Sequence, residues 1–242
     1  MNFQHLDFLV YSSHKTSTQS LISILRNNKY NAIHCHKLLD LSISIPKNLI
    51  SNELFIKELK RYKEINNKKL KIISIIRNPI KRLISSFFQS YHTDEVQINK
   101  INELYTTIMT NSTEELILNY KNKIQNNCLA GGIESLDEIS TIFNIKLIKK
   151  FRKQKKQKKN YYYFNHDLFE LFVLDFNKLI DENNLNYINN ILNTNCIINN
   201  KSNLSKNKIY YDKYNEIIKK IPSEINDIIK LRYNPFYFKS FN

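Results

Sequence analysis

Residues 8–21 read FLVYSSHKTSTQSL, and the fold turns on how this stretch is read. Phe8, Leu9, Val10 and Tyr11 are aromatic, aliphatic or β-branched, and the apolar run stops after them, as a short buried strand does. His14, Lys15, Thr16, Ser17, Thr18, Gln19 and Ser20 then crowd cations and hydroxyls into one turn. Leu21, Ile24 and Leu25 follow at helical spacing. A strand, loop and helix in this order aim backbone N–H groups and the positive end of a helix dipole at one point, which suits an anion. The same pattern also describes a basic, polar turn that holds no ligand.

The phosphate loop of nucleoside triphosphatases, GxxxxGK[ST], wraps its ligand with glycine backbone. Here the loop has no glycine, and the whole chain has two. Hydroxyl donors and Lys15 would have to replace bare backbone.

A second stretch, residues 71–91, reads KIISIIRNPIKRLISSFFQSY. Ile72, Ile73, Ile75 and Ile76 make another buried strand that stops at Arg77. Asn78 followed by Pro79 reads as an N-cap and first helical residue. Ile80, Leu83, Ile84, Phe87, Phe88 and Tyr91 then recur along one helix face. Ser85 lies eight positions after Arg77, just off that face.

Together the two stretches resemble the sulfotransferases that use 3′-phosphoadenosine 5′-phosphosulfate (PAPS). That family has a lysine-threonine loop after its first strand, matched by Lys15 to Ser20, and an arginine at a strand end with a serine eight residues on, matched by Arg77 and Ser85. The resemblance implies a P-loop-like, three-layer α/β/α fold with a central parallel sheet. It implies that Lys15, Thr16, Ser17, Thr18, Gln19, Ser20, Arg77 and Ser85 bind PAPS and its product, adenosine 3′,5′-bisphosphate. It covers residues 5–91 well, 161–242 loosely and 92–160 hardly at all.

With 242 residues, one domain spanning 1–242 is expected, with ample core. Lys and Arg number 37 against 22 Asp and Glu, a net charge of +15 that favours an anionic ligand. Part of this is composition, because the chain is rich in Asn, Lys and Ile and has no Trp. Cys35, Cys128 and Cys196 are odd in number and widely spaced, which fits a reducing compartment better than a disulfide framework. No apolar run approaches a membrane span, and a strand expected so near Met1 leaves no room for a signal peptide. A cytoplasmic protein is expected.

Residues 30–36, YNAIHCH, read as a second strand ending in His34 and His36, which two-residue spacing puts on one face. They are ordinary strand-end residues, the start of a metal site, or a general base. No third metal ligand stands at convincing spacing, so no metal is expected. Imidazole is basic and neutral near pH 7, which suits a base. The resemblance adds that heparan-type 2-O-sulfotransferases carry a His-Gly-His element here, its latter histidine the base. The present His34-Cys35-His36 departs from it in the middle residue and would make His36 the base. Residues 51–65 read as an amphipathic crossover helix. Three strands with two such helices begin a parallel, doubly wound sheet, whose ligands bind beyond the carboxyl ends of the strands. Lys15, His36 and Arg77 all fall there.

Ser112 to Glu115 and Ser135 to Glu138 each read as a capping box, and Gly131-Gly132 between them as a helix C-cap. Residues 149–159, KKFRKQKKQKK, are cationic at eight of eleven positions. Such a run is usually a solvated loop, an insertion or a helix face, but it would also hold a polyanionic acceptor or nucleic acid. Tyr161 to Phe164 and Leu171 to Phe176 read as strands. Near the C-terminus, residues 200–214 and 232–241 look like a bacterial branch of the family associated with capsular polysaccharide synthesis, which makes Asn203, Ser205 and Lys208 further cofactor contacts.

The expected activity is sulfuryl transfer from PAPS to a hydroxyl of a carbohydrate or polysaccharide. His36 would take the acceptor's proton, Lys15 and the loop N–H groups would meet the leaving phosphate, and Arg77 and Ser85 would hold the 3′-phosphate. Two alternatives stand beside it. A phosphoryl-transfer enzyme would want a glycine loop and an Asp for magnesium, where this chain has Arg77. A basic nucleic-acid-binding protein follows from charge alone and has no use for a loop at the strand ends, so nucleic acid is not the expected partner.

Overall fold

The computed structural model describes residues 3–13, 16, 18–36, 52–93, 110–126, 134–155, 161–180, 185–194, 196 and 210–239. In chain order its elements are β1 (Phe8–Tyr11), α1 (Thr18–Asn27), β2 (Ala32–Cys35), α2 (Asn52–Asn66), β3 (Leu70–Ile76) and α3 (Pro79–Thr93). Then come α4 (Thr113–Gln125), α5 (Ser135–Ile142), α6 (Leu147–Lys155), β4 (Tyr162–Asn165), β5 (Phe169–Asp175) and α7 (Phe176–Ile180). The last are α8 (Leu185–Leu192), α9 (Tyr211–Lys220), α10 (Ser223–Arg232) and α11 (Phe236–Lys239). The chain divides into two compact units, Met1–Ile76 with Gly132–Asn200 and Arg77–Gly131 with Lys201–Asn242.

The first unit is an α/β sheet in the order β2-β1-β3-β5-β4. Four strands are parallel, and β4 closes one edge antiparallel to β5. The parallel strands are apolar on both faces because helices cover both. On one side Phe8, Val10, Ile73, Ile75, Phe172 and Leu174 pack with Leu21, Ile22 and Leu25 of α1 and Ile188, Ile191 and Leu192 of α8. On the other, the Tyr11 hydroxyl donates to Glu138 of α5, Ser74 Oγ meets Ser135 Oγ at 2.7 Å, and Phe55 of α2 meets Phe143 edge-on.

Several elements fall where the sequence puts them. The second strand is shorter than residues 30–36, because Lys29 turns the chain at φ 66° and Tyr30 N–H closes back on Leu25 O at 3.0 Å. Asn67, Asn144 and Asn193 likewise follow α2, α5 and α8 at φ 48°, 49° and 52°. Asparagine tolerates the left-handed region better than other non-glycine residues, so a glycine-poor chain ends its helices this way. Phe176 opens α7 and does not extend β5. Residues 149–155 of the basic run belong to α6, anchored by buried Leu147 and Phe151, so the run is there a helix face and not a loop. Residues 156–159 lie outside the described ones.

The second unit is helical. Leu83, Ile84, Phe87 and Phe88 of α3 pack with Leu116, Tyr120 and Ile124 of α4 and with Ile217, Ile225 and Ile229 of α9 and α10. Asn78 Oδ1 accepts from Ile80 N–H at 3.0 Å, so the N-cap ahead of Pro79 forms as read. The Ser112–Glu115 box forms as well, with Ser112 Oγ accepting from Glu115 N–H at 3.2 Å and Glu115 Oε2 accepting from Ser112 N–H at 2.8 Å. The cap of α4 is Asn126, and Gly131 and Gly132 lie outside the described residues. Among the described residues no helix is long and apolar enough to cross a membrane.

The edge strand β4 is shielded by a side chain. Gln154 Nε2 donates to Tyr163 O at 2.6 Å while Gln154 Oε1 accepts from Tyr163 N–H at 3.0 Å, so one amide occupies both polar groups that a further strand would use. Gln154→Ala is expected to lower stability by about 1–3 kcal/mol in a urea titration and to raise self-association in light scattering. A variant as stable and monodisperse as the parent would show that this edge is not what Gln154 protects.

Candidate functional site

The site starts where β1 stops. Past Tyr11, Ser12 N–H still reaches Cys35 O of β2 at 3.2 Å. Toward β3 its side chain takes over: Ser12 Oγ donates to Ile75 O at 2.7 Å and accepts from Ile75 N–H at 3.0 Å. The fully buried Ser12 thus keeps both polar groups of Ile75 satisfied as the chain turns away.

The loop is then braced by hydroxyls. Thr16 Oγ1 lies 2.9 Å from Ser12 Oγ and donates to Ser13 O at 2.7 Å. Ser13 Oγ donates to Glu134 Oε2 at 2.6 Å. Ser12 and Thr16 carry one hydroxyl proton each, yet three contacts draw on them: Ser12 to Ile75 O, Ser12 to Thr16, and Thr16 to Ser13 O. One of the three therefore lacks a proton in any arrangement. The loop leads into α1, whose first residue, Thr18, is buried. Four N–H groups at such a helix start have no partner within the helix, the feature by which helix starts in general attract anions.

The two histidines come from the neighbouring strand. His34 ends up opposite Val10 in the sheet register, and His36 follows the last residue of β2. Their rings are 5.4 Å apart at 68°, on one side of the strand as the two-residue spacing requires. His36 Nδ1 is 2.9 Å from Ser12 O. A carbonyl only accepts, so Nδ1 carries the proton and the basic lone pair of neutral His36 is on Nε2. Gln19 Nε2 donates to His34 Nε2 at 2.9 Å, so neutral His34 is the same tautomer, protonated on Nδ1, but its lone pair is already engaged. Among the described residues no three His, Cys, Asp or Glu side chains are grouped so as to hold a metal ion.

Arg77 and Ser85 belong to the second unit. Arg77 is half-buried, and its Nη2 donates to Tyr214 Oη at 3.1 Å; Tyr214 in turn donates to Lys81 O at 3.3 Å. Burial lowers the pKa of Arg77, and the Tyr214 hydroxyl works against that. Burial raises the pKa of Tyr214, and the guanidinium opposes it. Arg82, one turn into α3, is 1% exposed and stands 5.5 Å from the Tyr233 ring, a cation over an aromatic face. Ser85 is half-buried on α3, beside the buried row of Leu83, Ile84, Phe87 and Phe88.

Of the residues singled out from the sequence, Thr16, Thr18, Gln19, Ser20, His34 and His36 are placed in the first unit around one loop. Arg77 and Ser85 are placed in the second. Lys15, Ser17, Asn203, Ser205 and Lys208 lie outside the described residues. Glu134, 5% exposed at the loop, was hidden in sequence by a misplaced cap. Residues 135–138 do not form a capping box: Glu134 is the N-cap residue, Ser135 bonds Ser74, and Glu138 bonds Tyr11. Buried partners across the fold outbid the local cap. Tyr214 gave only its place among spaced tyrosines as a signal. No protein-family model, no curated protein and no solved structure matches the chain.

Ser12→Ala removes the acceptor of Ile75 N–H. It is expected to cost about 1–3 kcal/mol of stability and to speed hydrogen exchange at the Ile75 amide relative to Ile73. Unchanged protection at Ile75 would show that the hydroxyl does not continue the ladder.

Proposed function

We propose that the chain is a cytoplasmic sulfotransferase with a P-loop-like core, transferring a sulfuryl group from PAPS to a hydroxyl of a carbohydrate or polysaccharide. The observation that carries this reading is the bond from His36 Nδ1 to Ser12 O. It ties an imidazole, with its lone pair on Nε2, to the backbone of the one loop whose composition suits an anion. A base held at a phosphate-type loop is what deprotonating an alcohol beside an anionic donor requires.

The residues present fit such a donor. The start of α1 and the hydroxyl-rich loop offer anion-binding N–H groups, and Lys15 would add the charge that meets the leaving phosphate. Thr16 spends its hydroxyl on the loop's own carbonyl, so its role is to shape the loop. Ser17, Thr18 and Ser20 would supply the remaining loop contacts. Arg77, steadied by Tyr214, and Ser85 would bind a 3′-phosphate by charge-assisted hydrogen bonds, with Asn203, Ser205 and Lys208 contributing from the C-terminal part. Bound PAPS supplies an activated sulfuryl group. His36 would take the acceptor's proton on Nε2, and His34, held by Gln19, would orient the acceptor.

A phosphoryl-transfer enzyme is the second reading, favoured by one observation: the Glu134 carboxylate beside the loop is a group that would suit magnesium. Thermal shifts separate the two. Adenosine 3′,5′-bisphosphate without magnesium is expected to stabilise the protein by roughly 2.7 kcal/mol at about 100 times its dissociation constant, and AMP hardly at all. Equal shifts from AMP, or stabilisation by ATP only with magnesium, would sink the sulfotransferase reading. His36→Ala should keep the bisphosphate shift and lose about 10²–10⁴-fold in transfer to a glycan acceptor. Near-normal turnover in that variant would place the base elsewhere.

A further inference from the structure

The basic run that the sequence leaves open is displayed on a firm support. Leu147 and Phe151, four apart, are fully buried, so α6 is fixed on the sheet edge by one narrow apolar seam. Around it Lys146, Lys149, Lys150, Arg152 and Lys153 are all exposed. Among the described residues, none of Lys146, Lys149, Lys150 and Lys153 is paired with a carboxylate. Lysines at i, i+3 and i+4 repel along the helix, so this arrangement weakens α6 in the absence of an anion.

The helix is also held against the edge strand β4. Lys150 Nζ stands 4.4 Å over the ring of Phe164, which pairs with Leu171. Gln154, one turn on, bonds Tyr163, which pairs with Phe172. Thus α6 lies along the outer edge of the sheet, against β4. Lys69 and Lys150 both act on His166, with Asp167 the acidic neighbour in that turn.

We infer that α6 is a docking surface for an anionic polysaccharide, its cations forming a track along the sheet edge. The helix repeats its charges about every 5.4 Å of axis, comparable with the advance of one sugar unit in an extended chain. Nucleic acid fits less well. Single strands are gripped by bases stacked on open aromatic rings. Here Phe143, Tyr161, Tyr163 and Phe164 are only half-exposed, Phe151 is buried, and Lys150 occupies a face of Phe164. The inference names the acceptor class of the proposed transferase and rests on that reading only in calling the polymer an acceptor.

The test uses the full chain without any nucleotide, at fixed salt. Fluorescein-labelled dextran sulfate is titrated and followed by anisotropy, beside uncharged dextran and a duplex oligonucleotide of matched charge. Dextran sulfate should bind more tightly than the duplex, and uncharged dextran should not bind. Replacing Lys146, Lys149, Lys150 and Lys153 together by Gln should weaken dextran sulfate by about tenfold or more and flatten its salt dependence. The same four positions changed to Arg should retain binding, which keeps the test decisive if the Gln variant folds poorly. Tighter binding to the duplex, or dextran sulfate affinity unaltered in a folded Gln variant, overturns the inference. The bisphosphate thermal shift should be unchanged in the Gln variant, so failure of this surface and failure of the cofactor reading are told apart.

Discussion

Where β1 gives way to the loop, the Ser12 hydroxyl holds both the N–H and the C=O of Ile75. Without it the sheet would end on two buried polar groups, each costing on the order of 1–3 kcal/mol. Because Ser12 closes the sheet, its own carbonyl is left pointing where His36 can donate to it, and its oxygen is left for Thr16 to approach. The orientation of the imidazole, the path of the loop and the integrity of β3 are therefore consequences of one side chain. A glycine loop achieves its shape by having nothing at Cβ; this one achieves it by having a hydroxyl at three of five successive positions, Ser12, Ser13 and Thr16.

How much of this was legible follows from the range of each interaction. Asn78 caps α3 within three residues, and Ser112 and Glu115 cap each other, so pattern alone locates both helix starts. The apolar runs of β1, β3 and β5 are likewise local, and their parallel order follows from the crossover helices between the first three. His34 and His36 share a face for the simple reason that strands alternate. Ser135 and Glu138 carry the same local signal as Ser112 and Glu115, yet partners on β1 and β3 claim them. Nothing in the spacing of those four residues distinguishes the two cases. Glu134 is invisible for the same reason, since its meaning lies in Ser13, 121 positions away.

The basic helix shows a different limit. In sequence, eight cations in eleven residues drown the periodicity of Leu147 and Phe151, which is all that α6 needs to dock. Two fully buried side chains on adjacent turns outweigh the repulsion of the exposed face. The Gln154 amide, unremarkable in a run of lysines, then completes the sheet by standing in for a strand. In the second unit Arg77, ahead of α3, stands beside Tyr214, and Arg82 of α3 lies under Tyr233. Phenolic oxygens and ring faces temper the guanidinium charge without cancelling it, as a carboxylate would.

The shortage of one proton between Ser12 and Thr16 limits what these two hydroxyls can offer. Three contacts compete for two hydrogens, so each internal arrangement leaves one acceptor without a proton and no hydrogen to spare. An anion accepts only. It would therefore gain little from these two hydroxyls, and an anion at this loop would have to be drawn by main-chain N–H groups and by formal charge. Ser12 and Thr16 are moreover buried, so neither hydroxyl is displayed for exchange with a visiting molecule. In this glycine-poor turn the two hydroxyls act as scaffold.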